Sequence, residues 1–177
     1  SILFLAVTGE EKGELGSRYF AAHPTVARSS IVANINTDMF LPLFPLKILM
    51  VLGLDESDLG QDVRVVAKEL GLTVQADPEP QRSRFVRSDQ YSFLRAGIPA
   101  AATKVGLRGA TEEQRAAAAA YQKTHYHRAA DHWEADRDHG PAAVLARFQF
   151  LLGLSAAQRA ERPRLLPGSF FQPRPGS

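Results

Sequence analysis

No cysteine occurs in the 177 residues. Its absence excludes disulfides and thiolate metal sites and leaves carboxylate oxygen and imidazole nitrogen as the available metal ligands. An excess of one charge is missing too: 21 Lys and Arg are set against 19 Asp and Glu, for a net charge of +2. No basic stripe of the kind nucleic acid needs runs through the chain, so nucleic acid is not an expected partner. Long hydrophobic runs are scarce. The longest, MFLPLFPLKILMVLGL (39–54), is too short for a bilayer and is broken by Pro42, Pro45 and Lys47, so no membrane span is read. No internal repeat recurs, and the opening residues show no basic-then-apolar leader, which leaves the compartment open.

What is present is ordinary for a globular chain: 45% hydrophobic and 23% charged residues, enough for one domain that buries roughly two thirds of its unfolded surface. The opening SILFLAV is continuously apolar, which predicts a central strand covered on both faces. A central strand with nothing ahead of it predicts a natural polypeptide that begins earlier. Ser17 is an N-cap candidate for a short helix, RYFAAHP, ended by Pro24. SSIVANINTD, LKILMVLG, LTVQA and IPAAATKVG read as four further strands. Between them, SDLGQDVRVVAKELG and SDQYSFLRAG read as helices, the second capped by Ser88 and closed by Gly97. TEEQRAAAAAYQ has high helix propensity, KTHYHRAADHWEADRD reads as a polar loop, and Pro141 opens a last amphipathic helix. Alternating strands and helices predict an α/β fold of three layers, a mostly parallel central sheet with helices on both faces, truncated at its N-terminus. The domain is expected over residues 1–160, with a Pro/Arg-rich extended tail over 161–177.

Ligands of open α/β sheets bind beyond the carboxyl ends of the strands. Three polar clusters fall there: Glu10 and Glu11, Asp38, and HYHRAAD (125–131). Each has a plain alternative. Thr8 and Glu11 match a capping box, although Gly9, Gly13 and Gly16 disfavour a regular helix there. Asp38 suits a turn, and His125 and His127 suit a solvated loop. Taken together, two carboxylates and an imidazole make an oxygen-rich site suited to zinc or a similar divalent cation. An adjacent Glu-Glu can divide the roles of ligand and general base, which a hydrolase requires.

TGEEKGELGSRYF, NINTDM, RSDQYSFLRAGIPA and YHRAAD, in this order and over residues 2–152, resemble the zinc-dependent aminopeptidase family of co-catalytic di-zinc exopeptidases, which also includes glutaminyl-cyclase-like members. The resemblance implies that Glu10 is the general base and Glu11 a metal ligand. It makes Asp38 the ligand of the other metal and His127, rather than His125, the imidazole ligand. Asp131 would complete the H-x-x-x-D pattern, and Ser88 or Asp89 would support the ligands from behind, unless Ser88 simply caps its helix. The implied cofactor is two zinc ions and the implied partner a peptide with a free N-terminus; relatives are often exported. The family's upstream histidine, in an H-x-D segment, and its bridging aspartate have no counterpart in this sequence, so the chain is expected to bind metal weakly and to be inactive or weakly active. MFLPLFP, directly after Asp38, is a candidate lining for a hydrophobic side chain, through Phe40, Leu43 and Phe44, or else ordinary core. The competing readings are a non-catalytic binding or structural domain on the same scaffold, and cyclisation of the glutaminyl-cyclase type around a single zinc.

Overall fold

The structure is a computed structural model and describes residues 1–40, 43–132 and 138–172. Four strands form one sheet: β1 (Asn34–Thr37), β2 (Ile48–Leu52), β3 (Thr73–Ala76) and β4 (Ala100–Val105). Their order is β1-β4-β2-β3. β1 runs parallel to β4 and β2 parallel to β3, while β2 and β4 are antiparallel, with Leu49 opposite Val105 and Val51 opposite Thr103. The helices are α1 (Leu15–Ala22), α2 (Leu59–Glu69), α3 (Gln90–Arg95), α4 (Glu112–Thr124) and α5 (Gly140–Gln158).

Successive residues of a strand point to opposite faces, and the central strands use this to build two cores. Leu49 and Val51 of β2 and Ala101 of β4 join Val63, Val66 and Ala67 of α2 with Leu145, Phe148 and Leu152 of α5. Met50, Leu52 and Ala102 face the other way, toward Phe85, while Ala100 meets Leu94 of α3. The expected α/β architecture with helices on both sides is therefore present. α5 is long and apolar enough to cross a membrane by length and composition. Its Pro141, Leu145, Phe148, Leu152 and Ala156 form a buried stripe against the sheet, the pattern of a core helix.

The reading of SILFLAV as a central strand is corrected. Residues 2–7 have no regular structure, and Ile2, Leu3, Phe4 and Leu5 are 40 to 88% exposed. An apolar run becomes a strand only where a neighbour completes its hydrogen-bond ladder. Here the edge strand β1 is paired with β4 and with no other strand among the described residues. The expected cap at Ser17 is corrected as well: α1 starts at Leu15, Glu14 takes the cap position, and Ser17 is fully buried inside the helix. Residues 161–172 pack against the domain, with turns at 167–168 and 170–171. Leu165 makes an antiparallel bridge with Ser57, Leu166 N donates to Glu56 O, and Phe171 meets Phe85 and Tyr91 edge-on.

Candidate active site

The glycines around Glu10 and Glu11 have a structural purpose. Gly9 (φ 70°) and Gly13 (φ 91°) bracket a single tight turn, Glu10–Lys12, and Glu14 (φ 59°) continues the left-handed backbone into α1. The chain thereby folds back on itself: Glu14 N donates to Glu10 O at 2.8 Å, and Gly16 N donates to Thr8 O at 2.8 Å. A Cβ on Gly16 would lie 2.6 Å from Thr8 N, so only glycine allows α1 to sit this close to residue 8. Both glutamates are thus held out on a stiff turn.

Asp38 follows the end of β1. Ser88 Oγ donates to its Oδ2 at 2.9 Å, and Asn36 Nδ2 donates to Ser88 Oγ at 3.3 Å and to Gln90 Oε1 at 2.7 Å. Gln90 Nε2 closes the chain on Phe85 O at 2.7 Å. Ser88 and Gln90 are buried, so this network fixes the carboxylate from within the fold. Ser88 orients Asp38, and the cap position of α3 falls to Asp89, whose side chain makes no capping bond. Lys104 Nζ donates to Asp38 O at 3.0 Å and stands 3.9 Å from Oδ2.

His127 arrives from the loop after α4 with a left-handed backbone (φ 57°), and its Nε2 lies 2.6 Å from Glu11 Oε1. Both side chains are more than half exposed, so this contact adds little stability. Tyr126 stacks on the His127 ring at 3.8 Å. Asp131 does not extend this contact: Tyr121 OH donates to its Oδ1 at 2.6 Å, which pins the loop from the side of α4. His125 stacks on Tyr121 and stands against Thr124 Oγ1 at 2.7 Å.

Like charges accumulate at this rim. The Glu10 carboxyl is pushed above its ordinary pKa, first by burial and then by Asp38, Glu11, Asp89 and Glu14. Burial also raises Glu14, opposed by a hydrogen bond from Ser92. The Tyr126 phenol is raised by burial and then by Glu11, Asp38 and Glu10, so its hydroxyl belongs to the same cluster. Asp89 Oδ1 is buried with no hydrogen-bond partner. These carboxylates and the unpartnered Asp89 oxygen leave an excess of negative charge at the rim.

The donor chemistry, carboxylate with imidazole, fits a divalent metal. The shell is not closed, however: among the described residues no group of three or more His, Asp or Glu is gathered tightly enough to hold an ion. At 2.6 Å, Glu11 Oε1 and His127 Nε2 are closer than the roughly 3.3 Å that two ligands of one tetrahedral zinc keep. The pair has to part by under about 1 Å to admit one.

Tyr126, Glu14 and Lys104 face the rim and are absent from the sequence-derived set. Tyr126 was visible only as a neighbour of His127 in YHRAAD; Glu14 and Lys104 carry no spacing signal. Phe40 packs partly buried against the main core, and Leu43 and Phe44 are also half-buried. Leu41 and Pro42 of the MFLPLFP candidate lie outside the described residues.

An α/β sheet carrying a carboxylate and imidazole cluster at its rim defines the class, a scaffold for hydrolytic chemistry. The model of Peptidase family M28 matches residues 1–147, and the chain belongs to this family of metallopeptidases. No curated protein and no solved structure gives a significant match.

Proposed function

We propose that the chain carries the acid–base carboxylate and part of the zinc-binding set of an aminopeptidase that releases N-terminal residues from peptides. The observation that supports this reading most directly is the contact of Glu11 Oε1 with His127 Nε2 at 2.6 Å, with Glu10 next in the chain and within the field of Asp38. Glu11, Asp38 and His127 would hold the metal, with Ser88 orienting Asp38 and Asp89 lying behind. Zinc, when bound, supplies a Lewis acid that polarises the scissile carbonyl and the attacking water.

The remaining work falls to the chain's own groups. Glu10, its carboxyl raised above its ordinary pKa by burial and by Asp38, takes a proton from water and returns it to the leaving amine. Tyr126 keeps its phenolic proton to high pH, so it can donate a hydrogen bond to an oxygen that gains negative charge nearby. The carboxylate-rich rim attracts the free ammonium of a peptide N-terminus. Three donors fall short of two filled shells, which supports weak metal binding by these 177 residues. The decisive experiment is zinc analysis together with hydrolysis of aminoacyl anilides, for a longer polypeptide that carries the family's upstream ligands and for its Glu10→Gln variant. Turnover should fall on the order of a hundredfold with zinc content unchanged; turnover within a few-fold of the original rejects the role of Glu10.

One observation favours a second reading, a non-catalytic binding or structural domain: Glu11 and His127 satisfy each other without a third ligand. Failure of any zinc to bind near these residues, with the fold intact, would select it.

A further inference from the structure

Two recesses outside the carboxylate rim share Arg28 and Ala96. One, about 380 Å³, is lined by Arg28 and Arg162 beside Gly97 and Ile98; the other, about 330 Å³, by Arg18, Arg28 and Arg95 beside Ser92. Four arginines therefore line the two recesses, with Arg28 shared by both. They are positioned mostly by backbone oxygens. Arg162 forks onto Ser29 O at 2.5 Å and Ile31 O at 3.1 Å, Arg28 Nη2 donates to Ala96 O at 3.4 Å, and Arg18 Nη1 donates to Gly13 O at 3.4 Å. Arg95 lies over the Tyr91 ring at 6.0 Å.

Carbonyl oxygens fix a guanidinium without cancelling its charge. Elsewhere Arg64, Arg84, Arg159 and Arg164 have carboxylate partners within ion-pair distance. Among the described residues, Arg18, Arg28, Arg95 and Arg162 have none; Arg87, Arg108, Arg115, Arg128 and Arg147 have none either, so what sets the four apart is that they line two adjoining recesses. Glu14 feels Arg18 and Arg95 but makes its hydrogen bond with Ser92. Arg162 lies beyond residues 1–147, so the larger recess is not confined to the part of the chain that the family accounts for.

We propose that these recesses form an anion-binding site, bordering the carboxylate rim at Glu14 but containing none of the candidate metal ligands, for a small ligand bearing two or more carboxylate or phosphate groups. Arginine suits this ligand because its planar fork leaves further N–H donors after one or two carbonyls are engaged, and these pair with oxyanions in short, charge-assisted bonds. Two recesses joined at Arg28 match a ligand with more than one anionic group. The proposal is independent of any peptidase activity.

The test is titration of the full metal-free chain with pyrophosphate and, separately, with citrate, by calorimetry at low ionic strength. At least one should bind saturably at one site, and the tighter of the two identifies the phosphate or carboxylate source. Arg28→Gln should weaken binding by about tenfold or more, while Arg64→Gln, an exposed arginine already paired with Asp55, should leave it within twofold. Should Arg28→Gln fail to fold, the double variant Arg18→Gln/Arg95→Gln must show the same loss. Binding that never saturates, or that responds equally to Arg64→Gln, overturns the proposal.

Discussion

Glu10 is a carboxyl among carboxyls, and this fixes the sign of a stability effect. Its pKa is raised in the folded protein, so the fold binds its proton more tightly than the unfolded chain does. The stability it contributes is complete below the ordinary carboxylate pKa and is lost as pH rises through the folded value. In the metal-free chain, Glu10→Gln removes the charge that causes the loss. It should therefore raise the melting temperature at pH 7 and have no such effect near pH 4; thermal melts of both proteins at the two pH values check this. An equal gain at both would assign the effect to something other than charge. At this scale Glu10 and Glu11 were legible because glycines on either side make the turn readable as a turn. Tyr126 and Lys104 were not, since spacing does not show which side chains turn toward three distant carboxylates.

Among the elements, β2 and β4 follow from their sequences directly, because apolar residues covered on both faces leave a continuous run such as ILMVLG. The same signal in SILFLAV misleads. Period and hydrophobicity describe a strand's faces but not its edges, and a ladder partner is contributed by another part of the chain. The turn at Glu10 depends on how α1 docks. Gly16→Ala would set a Cβ against Thr8 N and O, at 2.6 and 2.7 Å, and must push α1 off the turn. The expected cost is about 1 to 3 kcal/mol, read from urea unfolding. The loop carrying His127 depends on α4 in the same way. Tyr121→Phe removes the bond to Asp131, and the amides of Arg128 and Asp131, which close the two turns of that loop, should exchange faster with solvent. Because these groups are exposed, global stability should change by under about 0.5 kcal/mol. Unaltered exchange would mean that the loop is held by other contacts.

The molecule as a whole is longer than its family match, which ends at residue 147, inside α5. Phe148 and Leu152 of the same helix are fully buried. Beyond them, Arg159 donates to both Asp58 oxygens, at 2.9 and 3.1 Å, and to Asp62 Oδ2 at 3.0 Å, with Ser155 Oγ on Asp62 Oδ1 at 2.7 Å. These carboxylates sit at the start of α2, so the pairing ties the end of α5 to the helix packed beside it. The sequence showed a Pro/Arg-rich tail and could not show this, because Asp58 and Asp62 are about a hundred residues away. Chains ending after residue 147 and after residue 160 should behave differently. The first loses the buried Phe148, Leu152, Ala156 and Leu165 and the Arg159 network, together several kcal/mol against a typical total of about 5 to 15, and should show no cooperative unfolding. The second keeps α5 and Arg159 but loses buried Leu165, its bridge to Ser57 and the edge contacts of Phe171. It should fold and be weaker by about 2 to 4 kcal/mol in urea unfolding. A 147-residue chain with full cooperativity would show instead that α5 and the packed tail decorate a domain that is already complete.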